Sequence, residues 1–455
     1  MSEQNLEVCI LAAGMGKRMH STIPKAMQRL AGKPILAHLL QSARALNPNQ
    51  IHVVIGPEGG SIKSAFPDIP VNWVTQTERR GTGHAVLQAL PHFDSDSRVL
   101  ILVGDAPLLS TETMASLAAT EAPLSVLTAM MEDPTGYGRI VKNESGCIAE
   151  IVEHRDASAQ QKQICEINTG VMASSAAHLH HWLPRLVDDN DQGELLLTDV
   201  VALANGAALE VEAYLSEDLL EVTGINSFSQ LAGLESALQR RRADTLLASG
   251  VHIVDPDRFD LRGELECGTD VTIDINCVFE GSVSLGDGVS IGAGCSIKDA
   301  VIEANSVIKD YSVLDGCHVG AESQVGPFAR LRPGTLLHRA VHIGNFVEVK
   351  NTEVGIGTKA SHLTYLGDSV IGSEVNIGAG TITCNYDGVL KHTTRIEDHV
   401  FVGSNTAFVA PVTIGAGSTI GAGSTITKDV EEGELAISRG KQKTVTNWKR
   451  PVGDQ

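Results

Sequence analysis

Between residues 265 and 430 an aliphatic side chain returns every sixth position, often followed by Gly, with polar or small residues between. The clearest register is Ile396, Val402, Phe408, Ile414, Ile420 and Ile426. No α-helix repeats at six, whereas a parallel β-helix does: each hexad supplies one short strand, one inward aliphatic and small residues at a corner. Leu285, Ile291 and Ile297 keep the register, as do Ile302, Ile308 and Leu314, then Val319, Val325 and Leu331, then Ile371 and Ile377. One-residue slips or short loops join these sets. With three hexads, ~18 residues, per coil, the run predicts about nine triangular coils around a narrow aliphatic core. The period leaves the hand of the coil open, and right-handed crossovers are the general expectation for parallel strands.

Upstream, the pattern alternates aliphatic strands with helical stretches. Residues 7–12, 51–55, 71–75 and 99–103 predict buried strands of an open parallel sheet, and residues 81–85 open a helix. Residues 222–226 close this α/β part. From 227 to 250, Leu231, Leu234, Leu238, Leu246 and Leu247, with Gln239, Arg240, Arg241 and Arg242 between them, predict an amphipathic linker helix ended by Gly250. The expected organisation is therefore 1–226, a linker at 227–250, and 251–455.

Length agrees, because 455 residues exceed one ordinary core. A formal charge of -20 repels nucleic acid and anionic lipid, leaving small anionic ligands in local basic pockets. The first residues carry no signal-peptide pattern and no window has the apolar length of a membrane span, so a cytosolic protein is expected. The eight cysteines never approach C-x-x-C spacing and are expected to be small buried hydrophobes in a reducing compartment.

The candidate chemistry begins where the first strand runs into Gly14-Met15-Gly16-Lys17-Arg18, with Lys25 just beyond. Glycines let backbone amides approach a phosphate, and the cations add charge that a dinucleotide loop does not usually carry. Met19 replaces the third Gly of the dinucleotide fingerprint, and no Gly-Lys-Ser/Thr ending of a Walker loop is present. Strand ends in an open sheet face one crevice, so Gln76, Gly81 and Thr82 are expected near this loop, with the amide of Gln76 suited to a nucleobase edge. Asp105, after Gly104 at the end of the most apolar strand, is a candidate Mg2+ ligand, with Asn226 as the second if a last strand returns beside it. Glu153 and Asn168 are candidates for sugar hydroxyls, with turn formation the alternative.

Within the repeat, function is expected where the hexad rule breaks. Breaks cluster at Arg330 to Pro333, Glu348 to Asn351, Ser361 to Tyr365 and Asn376. Arg332 and Lys350 are one coil apart and should stack, and His362, 12 residues further, is expected to face the same substrate. Residues 384–394 interrupt the hexads and must loop outward. From Arg439 on, the tail is basic, with Asp454 its single acid.

The run Leu11-Ala12-Ala13-Gly14-Met15-Gly16-Lys17-Arg18-Met19, with Pro24-Lys25, resembles the signature of sugar-1-phosphate nucleotidylyltransferases. Joined to a hexapeptide helix, nearly the whole chain is similar to the bacterial family of bifunctional N-acetylglucosamine-1-phosphate uridylyltransferases and glucosamine-1-phosphate N-acetyltransferases. The resemblance implies a Rossmann-like nucleotidyltransferase domain, a linker helix and a left-handed parallel β-helix. It implies that Leu11, Ala12, Ala13, Gly14, Gln76, Gly81 and Thr82 hold the uridine part, and that Arg18 and Lys25 address phosphates. Gly138, Glu153, Asn168 and Asn226 would contact the sugar nucleotide, and Asp105 and Asn226 would hold Mg2+. Val103 stands where related enzymes carry an aromatic residue, with Gly104 and Asp105 intact. In the β-helix the resemblance assigns Arg332 and Lys350 to the substrate phosphate, Tyr365 and Asn376 to the sugar, and His362 to general base catalysis, for which an imidazole titrating near neutral pH is suited. Ala379, Asn385, Tyr386, Ser404, Ala422 and Arg439 match the acetyl-CoA positions. UTP is the implied uridylyl donor, acetyl-CoA the acetyl donor, and a homotrimer with acetyl-CoA between subunits the implied assembly.

Two other readings compete. Nucleotidyltransferase-like chains with hexapeptide helices also serve as regulatory subunits whose helix is a scaffold, and the N-terminal part could use another nucleotide or sugar. The cluster of His362, Lys350 and Tyr365 with the Asn385 loop weighs against the first, and Gln76 together with that cluster against the second.

Overall fold

The computed structural model describes residues 5–190 and 193–450, and for Lys17 the backbone alone; Asp454 of the basic tail lies outside the described residues. The chain forms two compact units, Met1–Leu238 and Gln239–Gln455.

The first unit is built on a nine-stranded sheet of β1 (Leu6–Ala12), β2 (Gln50–Ile55), β3 (Asn72–Thr75), β4 (Arg98–Val103), β5 (Leu124–Met130), β6 (Arg139–Lys142), β7 (Ile148–Val152), β8 (Glu166–Ser175) and β9 (Val211–Ser216). Its main order is β9-β5-β8-β4-β1-β2-β3, with β6 pairing β8 and β7. Successive residues of β1 feed opposite layers: Val8 and Ile10 pack with Leu36, Leu39, Leu40 and Ala43 of the helix Ile35–Ala45, and Cys9 packs with Val86 and Ala89 of the helix Thr82–Ala89. A strand covered on both faces is apolar along its buried length, which is why residues 8–12 read as a run without alternation, and Glu7 at its start is buried against His52.

The expected all-parallel sheet is corrected to a mixed one, because β8 is antiparallel to both β4 and β5. The β6–β7 hairpin and a 3-10 turn connect β5 to β8, with no α-helix among these residues to carry the chain back over the sheet as a parallel crossover usually does. The expected last strand beside Asp105 is also absent among the described residues. β1 and β8 already occupy both edges of β4, so residues 223–226 form a loop held there by Ile225 N–H donating to the Asp105 carbonyl at 2.9 Å.

The helix Phe228–Ala248 is embedded at both ends. Leu234 and Leu238 complete a small core with Met19, Leu30, Ala31, Ile35 and Ile225 of the first unit. Beyond them, Gln239 exchanges two hydrogen bonds with the backbone of Leu261, and Ala243 joins the core of the second unit. The division between units therefore falls inside this helix.

The second unit is a left-handed parallel β-helix. It starts with His252–Ile253, earlier than the sequence period, and one face stacks eleven strands up to Leu435–Ala436. The other two faces are joined into one 16-stranded sheet by three long strands, Phe259–Cys267, Cys277–Leu285 and Ser296–Ile302, that bend round a corner. All six aliphatic and aromatic residues of the clearest register are buried. Each contributes ~1.5–3 kcal/mol by leaving water, which is how a prism with so thin a core is held together.

Of the cysteines, Cys9, Cys277, Cys295 and Cys317 are buried, and burial pushes the Cys295 thiol up to about 12. The expectation fails for Cys165 and Cys384, which are exposed. One precedes β8 and the other lies where the outward loop leaves the prism.

Candidate functional site

In the first unit, register places the end of β1 beside the end of β4, with Leu11 opposite Val103 and Gly104 N–H donating to the Leu11 carbonyl at 2.9 Å. Any side chain at 104 would collide with that carbonyl, so Gly is required for Asp105 to leave the sheet here. Beyond β1, Met19 folds back into the core, 3 % exposed, and its N–H donates to the Gly16 carbonyl. The residue in place of a third glycine is thus the anchor that closes the loop.

Lys25, presented by a 3-10 turn after Pro24, projects its Nζ to 2.5 Å from Asp105 Oδ2 and 2.8 Å from Asn226 Oδ1. Asn226 is oriented by its own N–H, which donates to Gln230 Oε1 at 2.7 Å. Three residues far apart in the chain thus meet at one point.

Two cavities of about 320 and 300 Å³ meet there, sharing Leu11, Thr82, Val103 and Asp105. Such volumes suit a nucleotide and a sugar phosphate side by side. The first is also lined by Ala12, Ala13, Gly14, Lys25, Gln76, Gly81 and Gly104. Gln76 is buried, with Nε2 donating to the Gly81 carbonyl at 3.1 Å and lying 3.1 Å from His84 Nδ1. The second takes in Arg18, Gly138, Glu153, Asn168 and Asn226. Asn168 Oδ1 accepts from Gly170 N–H, so it shapes a turn as well as lining the wall. Burial, with Asp156 and Asp199 nearby, raises the Glu153 carboxyl above its ordinary range. Val103 packs on the backbone of Gly170, whose missing side chain makes room for it. Sequence reasoning missed Arg79 and Glu194 in the first cavity. Arg79 was within reach of the same rule, a cation beside a glycine turn, whereas Glu194 carries no local signal.

In the β-helix the expected residues fall into two groups. Register carries Asn345 to His362, and one coil at a time onward through Ala379, Ser404 and Ala422. Backbone bonds follow the same corner: Asn405 N–H donates to Ala379 O, Gly423 N–H to Ser404 O, and Arg439 Nη1 to Ala422 O at 2.8 Å. His362 Nδ1 lies 2.7 Å from Asn345 Oδ1, and since that oxygen only accepts, Nδ1 carries the proton and Nε2 keeps a free lone pair. Asn345 was missed in the sequence, although it stands one coil before His362. Asn376 lies in the strand leading to the same corner.

The second group lies at the next corner. Arg332 N–H donates to Val349 O, which places Arg332 over Lys350, and its Nη1 pairs with Glu348 Oε1 at 2.9 Å. Lys350 aligns with Gly367, over which the Tyr365 hydroxyl sits, 3.5 Å from Asn385 Nδ2. Asn385 also donates to Asp368, and Tyr386, 62 % exposed, starts the outward loop. That loop brings Lys391, also missed in the sequence, beside Lys350, and the adjacent ammonium lowers the pKa of Lys350.

The expectation that His362 faces the same substrate as Arg332 and Lys350 is therefore corrected for a single protomer. Twelve residues are two hexads, hence two of three faces, so His362 stands at a different corner. The strand between them, Tyr365–Gly367, spans roughly 10 Å at ~3.3 Å per residue.

Among the described residues no cluster of three or more His, Cys, Asp or Glu side chains could hold a metal ion, and no helix is long and apolar enough to cross a membrane. Residues 8–170 match the family model of the MobA-like NTP transferase domain, 261–359 the GMPPB C-terminal domain, and 393–428 the bacterial transferase hexapeptide with six repeats. Over 454 residues the chain is 52 % identical to the bifunctional protein GlmU of Marinobacter nauticus, covering 98 % of this chain and 99 % of that protein. It is 51 % identical to those of Nitrosospira multiformis and Burkholderia thailandensis, with 98 % of this chain covered in both cases and 98 % and 99 % of the relatives. With a nucleotidyltransferase unit, a hexapeptide prism and half its residues in common with these relatives from end to end, the chain belongs to the GlmU family of bifunctional proteins.

Proposed function

We infer that the chain makes UDP-N-acetylglucosamine in two steps, acetylating glucosamine 1-phosphate in the β-helix and uridylylating N-acetylglucosamine 1-phosphate in the first unit. In the first step His362 Nε2 takes a proton from the substrate ammonium, and the freed amine attacks the thioester carbonyl of acetyl-CoA. The carbon–sulfur bond breaks and CoA leaves as a thiolate that is reprotonated. Arg332 and Lys350 anchor the phosphate, Tyr365 and Asn376 the sugar. Acetyl-CoA lies along the corner of Ala379, Ser404, Ala422 and Arg439, with Asn385 and Tyr386 closing on it.

The two corners belong to one site only if a neighbouring subunit supplies one of them. This supports a symmetric ring, for which we propose the trimer usual for such prisms, with each site shared by two protomers.

In the second step a phosphate oxygen of N-acetylglucosamine 1-phosphate attacks the α-phosphorus of UTP, and the bond to the β-phosphate breaks to release pyrophosphate. Uridine occupies the cavity of Gln76 and Gly81, and the sugar that of Glu153 and Asn168. Arg18 and Lys25 neutralise charge on the reacting phosphates. The Asp105 and Asn226 oxygens already converge on one cationic atom, Lys25 Nζ, a donor set that fits Mg2+. When bound there, Mg2+ would offset the negative charge on the triphosphate. Use of UTP and acetyl-CoA, both cytosolic metabolites, supports a cytosolic enzyme.

The observation that favours two catalytic units over a scaffold is His362, with one nitrogen held by Asn345 and the other free. Incubation with glucosamine 1-phosphate, acetyl-CoA, UTP and Mg2+ should yield CoA, pyrophosphate and UDP-N-acetylglucosamine. Pyrophosphate release from added N-acetylglucosamine 1-phosphate without any CoA release would leave the prism a scaffold.

A further inference from the structure

Arg79 stands in the strand-end segment between Gln76 and Gly81, and it touches the glycine loop itself. Its Nε donates to the Ala13 carbonyl at 2.8 Å, and its Nη2 pairs with Glu58. Ala13 is the first residue beyond β1, where the sheet ladder no longer holds the backbone. The Ala13 side chain is buried in the core, but nothing lies within reach of a side chain at Gly14 and Met15 is half exposed, so packing holds only the Ala13 end of this peptide. The guanidinium reaches it by crossing Gly56, where any side chain would collide with it. Arg79 also lines both the cavity of Gln76 and Asp105 and a smaller one behind the loop, lined by Pro24, Glu58 and Ile62.

We propose that Arg79, braced by Glu58, is a positioning residue for the nucleoside triphosphate: it pins the Ala13–Gly14 peptide in the orientation that receives the nucleotide. The inference rests on the reading of the first cavity as the UTP pocket. In a trans peptide the carbonyl and the following N–H point opposite ways, so holding the Ala13 oxygen also sets the Gly14 N–H. Without the guanidinium the Ala13 oxygen loses this donor and the Gly14 end of the peptide is less constrained, so binding must order it first. Glu58 keeps the other end of Arg79 from swinging into solvent. The Arg79 guanidinium holds the Glu58 carboxyl below its ordinary range, so the clamp stays charged at neutral pH.

The test is steady-state uridylyl transfer by the full chain, with UTP and N-acetylglucosamine 1-phosphate varied separately, and CoA release as a control on the other unit. Arg79→Gln should raise KM for UTP by ~10- to 100-fold, the range for losing a charged hydrogen bond, with kcat within about threefold. KM for the sugar phosphate and CoA release should not change. Arg79→Lys, which keeps one donor, should recover part of the loss, and Glu58→Gln should raise KM for UTP about two- to fivefold, as for a weakened exposed ion pair. Gln76→Ala serves as the reference for the pocket. If it raises KM for UTP and Arg79→Gln does not, the clamp is wrong; if it too leaves KM unchanged, the pocket reading fails first. A fall in kcat at unchanged KM would also overturn positioning, because Arg79 would then act on the transition state. Should Arg79→Gln fail to fold, Glu58→Gln decides alone, and an unchanged KM for UTP rejects the clamp.

Discussion

If each acetyltransferase site takes His362 from one protomer and Lys350 from its neighbour, two inactive variants should repair each other. His362→Ala alone should lose ~10²- to 10⁴-fold of acetyl transfer, the usual cost of a general base. Lys350→Ala alone should lose ~10- to 100-fold at low glucosamine 1-phosphate, through the missing charged hydrogen bond. In oligomers assembled at random from equal amounts of both, half of the histidines are intact and, independently, half of the lysines. About a quarter of all shared sites are then wild type; trimers of one chain alone hold none, so each mixed trimer holds one wild-type site of its three, and isolated mixed trimers should return to about a third of the unmutated activity. The structural basis is the two-hexad spacing, which puts the residues at different corners with one strand between them. The assay is CoA-thiol release by co-expressed, differently tagged chains, isolated through both tags so that only mixed oligomers are counted. Mixed oligomers no more active than the better parent would show that each protomer builds its site alone, and the shared-site reasoning would fall.

Asp105→Ala should lower uridylyl transfer by at least ~10²-fold, as for loss of a preorganised electrostatic group, and leave CoA release unchanged; equal loss of both would point to misfolding. A fragment of residues 1–226 should retain uridylyl transfer but melt below a fragment of 1–250. The shorter one lacks Leu234, Leu238 and the Glu235 carboxylate that accepts from Ala31 N–H at 2.7 Å, and equal melting temperatures in calorimetry would count against that role. Glu153→Gln should raise KM for N-acetylglucosamine 1-phosphate while raising thermal stability at neutral pH. Burial lifts the folded pKa of Glu153, so its ionised form costs stability above that pKa and the cost fades as pH falls toward the unfolded value. The variant's advantage in melting temperature should therefore shrink on acidification, and a deficit at neutral pH would refute the assignment.

Residues whose role is set by short-range periodicity were legible before any coordinates. Ile396 to Ile426 announce a prism because one inward side chain per hexad is a local rule, repeated until chance is excluded. Residues 7–12 announce a doubly covered strand, and Gly14 to Arg18 a phosphate loop, for the same reason. What tertiary structure decided is which of these pieces meet. Lys25, Asp105 and Asn226 lie up to 201 residues apart, and their convergence depends on β4 having no free edge, which forces 223–226 into a loop. Arg79 and Glu58 form their pair only because Gly56 leaves a path between two strand ends. In the prism, the 12-residue spacing itself implies a change of face, and the structure shows which column of residues stands at the new corner. His362 shares its corner with the Ala379 column and not with Lys350, because three faces turn every 12-residue step away from its starting point. Local pattern reports a side chain's burial and period; the vector along which it leaves the backbone, and hence its chemical partner, exists only once the chain has closed on itself.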